Sequence, residues 1–207
     1  YLTMYNEPMP QPAEPENVDA EGILKGIYHL KAAEIDGPKV QLLASGVAVP
    51  WALEAQQLLK DDWGVAAAVW SVTSWEELRR DGLKAETANW TNPGDEPQVP
   101  YLTDKLQASR GGLHLGVSDF SHLVPESIRP YVPGDYVTLG ADDFGISDTR
   151  PAARRYYRID SHSIVIRTLA KLAERGEIDR ALVQQAIDRY DLHNVNAGTS
   201  GTAGGDA

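Results

Sequence analysis

Lys39-Val-Gln-Leu-Leu-Ala44, closed by Ser45-Gly46, is the stretch that decides the fold. Val40, Leu42, Leu43 and Ala44 make it almost continuously apolar, so a strand formed here needs cover on both faces, as strands of parallel sheets do. A helix follows from about Pro50, since proline is tolerated in a first turn. Val49, Ala52, Leu53 and Leu59 give that helix an imperfect apolar stripe, and Gly64 ends it. Val65–Val72 is then a second buried strand. Strand, helix, strand with both strands densely apolar is the unit of an α/β domain.

Outward from this unit the alternation continues. Upstream, Asp19 is positioned to cap a short helix over Ala20–Lys25 that Gly26 stops, and Ile27–Ala33 reads as a strand before the turn Asp36-Gly37-Pro38. Downstream, Ser74 caps a helix with Glu76 and Glu77 in its first turn, expected to fray near Gly82. Prolines and glycine mark Asn89–Pro100 as a loop. A short helix over Tyr101–Ala108 leads to strand Leu113–Ser118, and Asp119 or Ser121 is expected to cap a helix toward Ile128. Tyr136–Gly140 is a last strand, followed by the loop Ala141–Asp148 and helices over Thr149–Tyr157, Ser163–Arg175 and Ile178–Tyr190. The pattern predicts a mostly parallel sheet with helices on both faces.

The ends read differently. Pro8, Pro10, Pro12 and Pro15 block helix and internal strand alike, so residues 8–18 are expected to be an extended linker. Tyr1–Glu7, rich in β-formers, is expected to be the last strand of a preceding domain, and the apolar start suggests a cut through a larger protein. The main domain then spans residues 19–192. Residues 193–207, rich in Gly, Thr, Ser, Ala and Asn, are expected to be a disordered tail.

Composition excludes several functions. The 207 residues carry 30 acidic against 19 basic side chains, a net charge of −11 without a basic stripe, which argues against nucleic-acid binding. No apolar run is long enough to span a membrane, and no signal-peptide pattern opens the chain. Zero cysteines remove disulfides, thiol catalysis and Cys-ligated metal centres, in keeping with a cytoplasmic protein.

Motifs for chemistry are few. Asp143-Phe144-Gly145 spells the metal-binding triplet of protein kinases, but the Gly-rich loop and catalytic loop are missing. A turn is expected instead, with Gly145 at positive φ and Asp143 capping. Ser45-Gly46 stands where α/β folds bind ligands, yet lacks the spaced glycines of a dinucleotide site and the Walker pattern. The five histidines are scattered. Arg150, Arg154, Arg155 and Arg158 form the one basic cluster, and i, i+4, i+8 spacing predicts that Arg150, Arg154 and Arg158 share a helix face. That face suits a solvated or interdomain salt-bridge surface, or an anion site.

An ordered series of motifs carries a resemblance. Val40-Gln-Leu-Leu-Ala-Ser-Gly46, Val69-Trp-Ser-Val-Thr-Ser-Trp-Glu-Glu-Leu78, Arg80-Asp-Gly82 and Val99-Pro-Tyr101 come first. Tyr131-Val-Pro133, Tyr136-Val-Thr-Leu-Gly140, Asp143-Phe-Gly-Ile-Ser-Asp-Thr-Arg150 and Leu172-Ala-Glu-Arg-Gly-Glu-Ile-Asp179 follow. Together they resemble the C-terminal domain of the homodimeric, thiamine-diphosphate-dependent pyruvate dehydrogenases of bacteria. The resemblance implies a three-layer transketolase C-terminal-like α/β fold with a five-stranded, mostly parallel sheet. It implies a parent enzyme that decarboxylates pyruvate and acetylates the lipoyl group of a dihydrolipoyl acetyltransferase. Thiamine diphosphate, Mg²⁺ and the catalytic residues would be held by other segments, so no family catalytic residue maps onto this chain. What it would contribute is assembly, with Asp143, Phe144, Asp148, Arg150, Arg154 and Arg158 as the candidate subunit or interdomain interface. The acidic surface would attract a basic docking segment of the acetyltransferase. A stand-alone docking module of the same fold, or the equivalent domain of another transketolase-like 2-oxo-acid dehydrogenase, are the competing readings.

Overall fold

The computed structural model describes residues 12–16 and 18–198; the strand expected over Tyr1–Glu7, the first part of the linker and residues 199–207 lie outside the described residues. Strands β1 (Ile27–Lys31), β2 (Lys39–Ala44), β3 (Ala66–Val72), β4 (Leu113–Val117) and β5 (Asp135–Leu139) form one sheet in the order β1-β3-β2-β4-β5. The apolar run that opened the sequence reading is its centre: β2 lies parallel to β3 on one side and to β4 on the other. β5 extends the parallel set, and only β1 runs antiparallel, against β3.

Among the described residues eight α-helices accompany the strands: α1 (Ala20–Lys25), α2 (Ala48–Trp63), α3 (Trp75–Thr91), α4 (Tyr101–Lys105), α5 (Leu123–Glu126), α6 (Arg150–Tyr156), α7 (Ser161–Glu174) and α8 (Ala181–Arg189). The alternation of side chains along each strand divides the apolar residues between two cores. Val40, Leu42, Val69, Leu115 and Val137 face α2, α7 and α8, whereas Leu43, Val72 and Tyr136 face α3, α4 and Ile128. The result is the three-layer arrangement that the strand pattern predicts.

Local chemistry sets many boundaries where expected. Asp19 accepts from the Gly22 amide at 2.9 Å, and Gly26, at φ 105°, ends α1. The Ser74 hydroxyl accepts from Glu77 N at 3.1 Å and starts α3.

Two expectations are corrected and a third is made specific. α3 does not fray at Gly82 but continues to Thr91, because Gly82 is buried against Tyr131: a Cβ there would lie 2.3 Å from the ring. Helix α5 takes no side-chain cap from its own N-cap, His122; the Ser121 hydroxyl, one of the two caps expected, accepts from Leu123 N at 3.4 Å. Asp142, twenty residues on, supports this start by accepting from the Ser121 hydroxyl and the His122 amide at 2.9 and 2.8 Å. The tail does not begin at His193 either. Val195–Ala197 forms a 3₁₀ turn whose Ala197 carbonyl accepts from buried Arg155, and Gly198 packs against Pro151.

Candidate functional site

In an α/β sheet of this order, β3 leaves the central strand to one side and β4 to the other, so the ligand crevice of the fold class lies beyond the ends of β2 and β4. Here that crevice is closed. The Ser45 hydroxyl, following β2, donates to the Ser118 hydroxyl, following β4, at 3.3 Å, and both residues are buried. The start of α2 offers little to an anion. Ala48 N and Val49 N already donate to the carbonyls of Ser45 and Gly46, and Pro50 has no N–H. The phosphate reading of Ser45-Gly46 therefore gains no support from the amides of Ala48 and Val49. Among the described residues no group of three or more His, Asp or Glu side chains could hold a metal ion.

The other feature of this end is a surface. The loops after β4 and β5 are joined by Ala141 N, which donates to the Phe120 carbonyl at 2.8 Å, and by the Asp142 contacts to Ser121 and His122. His122 Nδ1 also meets the Asp142 carboxylate. Helix α6 closes the group: the Tyr156 hydroxyl donates to Asp143 at 3.3 Å, and that of Tyr157 donates to the Phe144 carbonyl at 2.5 Å. The loops are thus tied together through polar atoms, while their apolar side chains point outward. Phe144 is 90% exposed, Leu123 70% and Phe120 55%, with Tyr156 and Ile146 also exposed. Exposed apolar side chains are thus gathered on the loops at one end of an otherwise strongly acidic chain.

The residues singled out in the sequence fall on this end, but not all as expected. Asp143 accepts from Phe144 N at 2.8 Å and Asp148 from Thr149 N at 2.7 Å, so both shape the loop. Gly145 is not in the left-handed region, and the turn expected there does not need its freedom. Thr149 caps α6, Arg150 opens it, and Arg154 lies over the Trp51 ring at 5.0 Å. Arg158 is beyond the helix at φ 57°, so Arg150, Arg154 and Arg158 do not share a helix face.

The arginine that sequence reasoning passed over is Arg155. It is 1% exposed and pairs through Nε with Asp160 at 2.8 Å. Nη1 donates to the carbonyls of Tyr190 and Asp191, and Nη2 to that of Ala197 and to His162 Nδ1. All five N–H donors are used, which joins α6, α7, the end of α8 and the 3₁₀ turn. The sequence offers little signal for it, since Arg155 follows buried Ala152 by three residues on α6 but Ile159 falls beyond the helix end. His162 stacks on Tyr190, and burial, the larger cause, lowers its pKa together with Arg155. Burial pushes the Tyr190 hydroxyl up to about 12, where it lies between Trp63 and Asp62 at 2.9 Å each.

A five-stranded, mostly parallel sheet between two helical layers defines a three-layer α/β domain. The family model described as Transketolase-like TK C-terminal domain matches residues 26–160, and the chain belongs to that family. It is 52% identical over 198 residues to the pyruvate dehydrogenase E1 component of Mycolicibacterium smegmatis and 53% identical over 198 residues to that of Mycobacterium tuberculosis. Each alignment covers 95% of this chain and 21% of the relative, so the chain spans about a fifth of the length of these proteins. Among solved structures, a transketolase variant from Pichia stipitis matches with a TM-score of 0.56 at 20% identity, over 83% of this chain and 21% of that one, a likeness of fold.

Proposed function

We propose that the chain is the assembly domain of a cytoplasmic, homodimeric pyruvate dehydrogenase. The parent enzyme would oxidatively decarboxylate pyruvate and pass the acetyl unit to the lipoyl group of a dihydrolipoyl acetyltransferase. The names of relatives more than 50% identical support the enzyme, and the outward apolar face of Phe120, Leu123 and Phe144 carries the assembly role. Thiamine diphosphate and Mg²⁺ do not fit the described residues, because the crevice is closed by hydroxyls and no set of metal ligands converges. On this reading the cofactor belongs to other segments of the enzyme, and this domain supplies a face against a neighbouring subunit or domain. The net charge of −11 gives the assembled enzyme a surface for a basic segment of the acetyltransferase, through an attraction that weakens as salt rises.

Sedimentation velocity of the intact enzyme tests the face. Phe144→Asp with Leu123→Asp puts two charges into the patch without touching either core, and the expected result is a shift toward smaller species. Reversal of Arg154 and Arg158 to Glu is expected to act in the same direction. A sedimentation profile unchanged by both variants overturns the assembly role.

A further inference from the structure

The edge strand β5 opens into a cleft of about 390 Å³ between the two helical layers. On one wall Arg129 is fully engaged. Its Nε and Nη2 grip the two Glu126 oxygens at 2.6 Å, and its Nη1 donates to the Tyr136 carbonyl at 2.6 Å. Glu126 also accepts from the Thr138 hydroxyl, and Asp142 at the mouth is held by Ser121 and His122. Both carboxylates of the cleft are therefore already answered. On the opposite wall stand Arg158 and Arg167, and among the described residues neither guanidinium has a hydrogen-bond or ion-pair partner. Three guanidiniums against two satisfied carboxylates leave local positive charge on a chain of net charge −11.

The backbone at Arg158 adds a second, independent observation. Helix α6 ends in a Schellman turn: Arg158 N donates to the Arg155 carbonyl and Ile159 N to that of Arg154, both at 3.0 Å. Position C′ of such a turn needs the left-handed region, where glycine fits without penalty, yet here Arg158 occupies it at φ 57°. An arginine is held in a glycine's conformation at the place where its side chain lines the cleft.

We infer that this cleft binds a phosphate monoester, with Arg158 and Arg167 gripping the phosphate and Tyr157, Val137 and Leu139 receiving a small organic body. Planar guanidiniums make paired, charge-assisted bonds to phosphate oxygens, and Arg158 and Arg167 line the same cleft. An added β-strand is the less favoured occupant of this edge, because Arg129 already covers the Tyr136 carbonyl that strand pairing would need. The inference stands on the cleft's own geometry and does not depend on the assembly role proposed above.

Calorimetric titration of the chain at low salt, with adenosine monophosphate and separately with inorganic phosphate, tests it. Saturable binding is expected for both, tighter for the nucleotide, with no requirement for Mg²⁺. Arg158→Gln with Arg167→Gln should weaken affinity about tenfold or more, the loss of charge-assisted bonds, while Arg80→Gln, on the exposed surface of α3, leaves it unchanged. Arg158→Gly should raise the melting temperature and lower the affinity together, a combination that a purely structural role does not give. No saturation by either compound at millimolar concentration, or undiminished affinity in the double variant, overturns the inference. Saturation by a Glu-rich peptide but not by the nucleotide overturns it in favour of a protein partner.

Discussion

At the scale of single residues, the most consequential side chain is Arg155. With Asp160 it forms a pair whose side chains are both fully buried, and the remaining Asp160 oxygen accepts from Ser163 N at 3.0 Å to start α7. Removing one member of such a pair leaves a buried charge unanswered. Arg155→Met is therefore expected to cost about 3–5 kcal/mol in urea unfolding, with α6 and the Val195–Ala197 turn loosening first. A second residue-scale effect follows from His114, which burial drives from 6.5 to about 4. The Ser109 hydroxyl donates to the Leu106 carbonyl at 2.8 Å, so His114 Nε2 holds its proton and donates to Ser109 Oγ at 2.8 Å. Between pH 6.5 and 4 the unfolded chain binds a proton here that the folded chain refuses. Stability is complete above that window and falls as pH drops through it, by an amount on the order of 3 kcal/mol. Urea midpoints measured at pH 7.5 and 4.5 should separate clearly, and less so in His114→Asn. Burial lowers His162 as well, so it acts in the same direction.

At the scale of elements, helix α3 shows both what a sequence reveals and what it hides. Its N-terminus was legible, because Ser74 followed by Glu76 and Glu77 is a local capping signal. Its continuation past Gly82 was not, because the reason is Tyr131, forty-nine residues away, whose ring fills the space of a missing side chain. Gly82→Ala is expected to destabilise by roughly 1–2 kcal/mol, overpacking outweighing the gain in helix propensity. In a Tyr131→Leu background the same change should become neutral or stabilising, which thermal melts of the four proteins would register. At α5 the Ser121 hydroxyl is the legible part, whereas Asp142, which meets the His122 amide from beyond another strand, is hidden for the same reason. The strands themselves were legible almost to the residue, since burial on both faces leaves a continuous apolar run that needs no distant partner to be recognised. At the candidate site, the polar loop Asp143–Arg150 was visible as a dense motif. Which arginine turns inward was not visible, because Arg154 and Arg155 differ only in helical phase and α6 ends one residue short of Tyr157.

At the scale of the whole molecule, two facts must be held together. The chain carries a net charge of −11, yet it turns Phe120, Leu123, Phe144, Ile146 and Tyr156 outward at one end of the sheet. The crevice where this fold class takes ligands is shut by Ser45 and Ser118, so that end of the domain is free to act as a face. On the function proposed above, another part of the parent enzyme covers it. Covalent footprinting of Phe120, Leu123 and Phe144, in the isolated chain and in the assembled enzyme, measures this without any substitution. Strong labelling of all three is expected in the isolated chain and several-fold protection in the assembly, with exposed Trp90 on α3 labelled equally in both. Equal labelling of Phe120, Leu123 and Phe144 in the two states would contradict it.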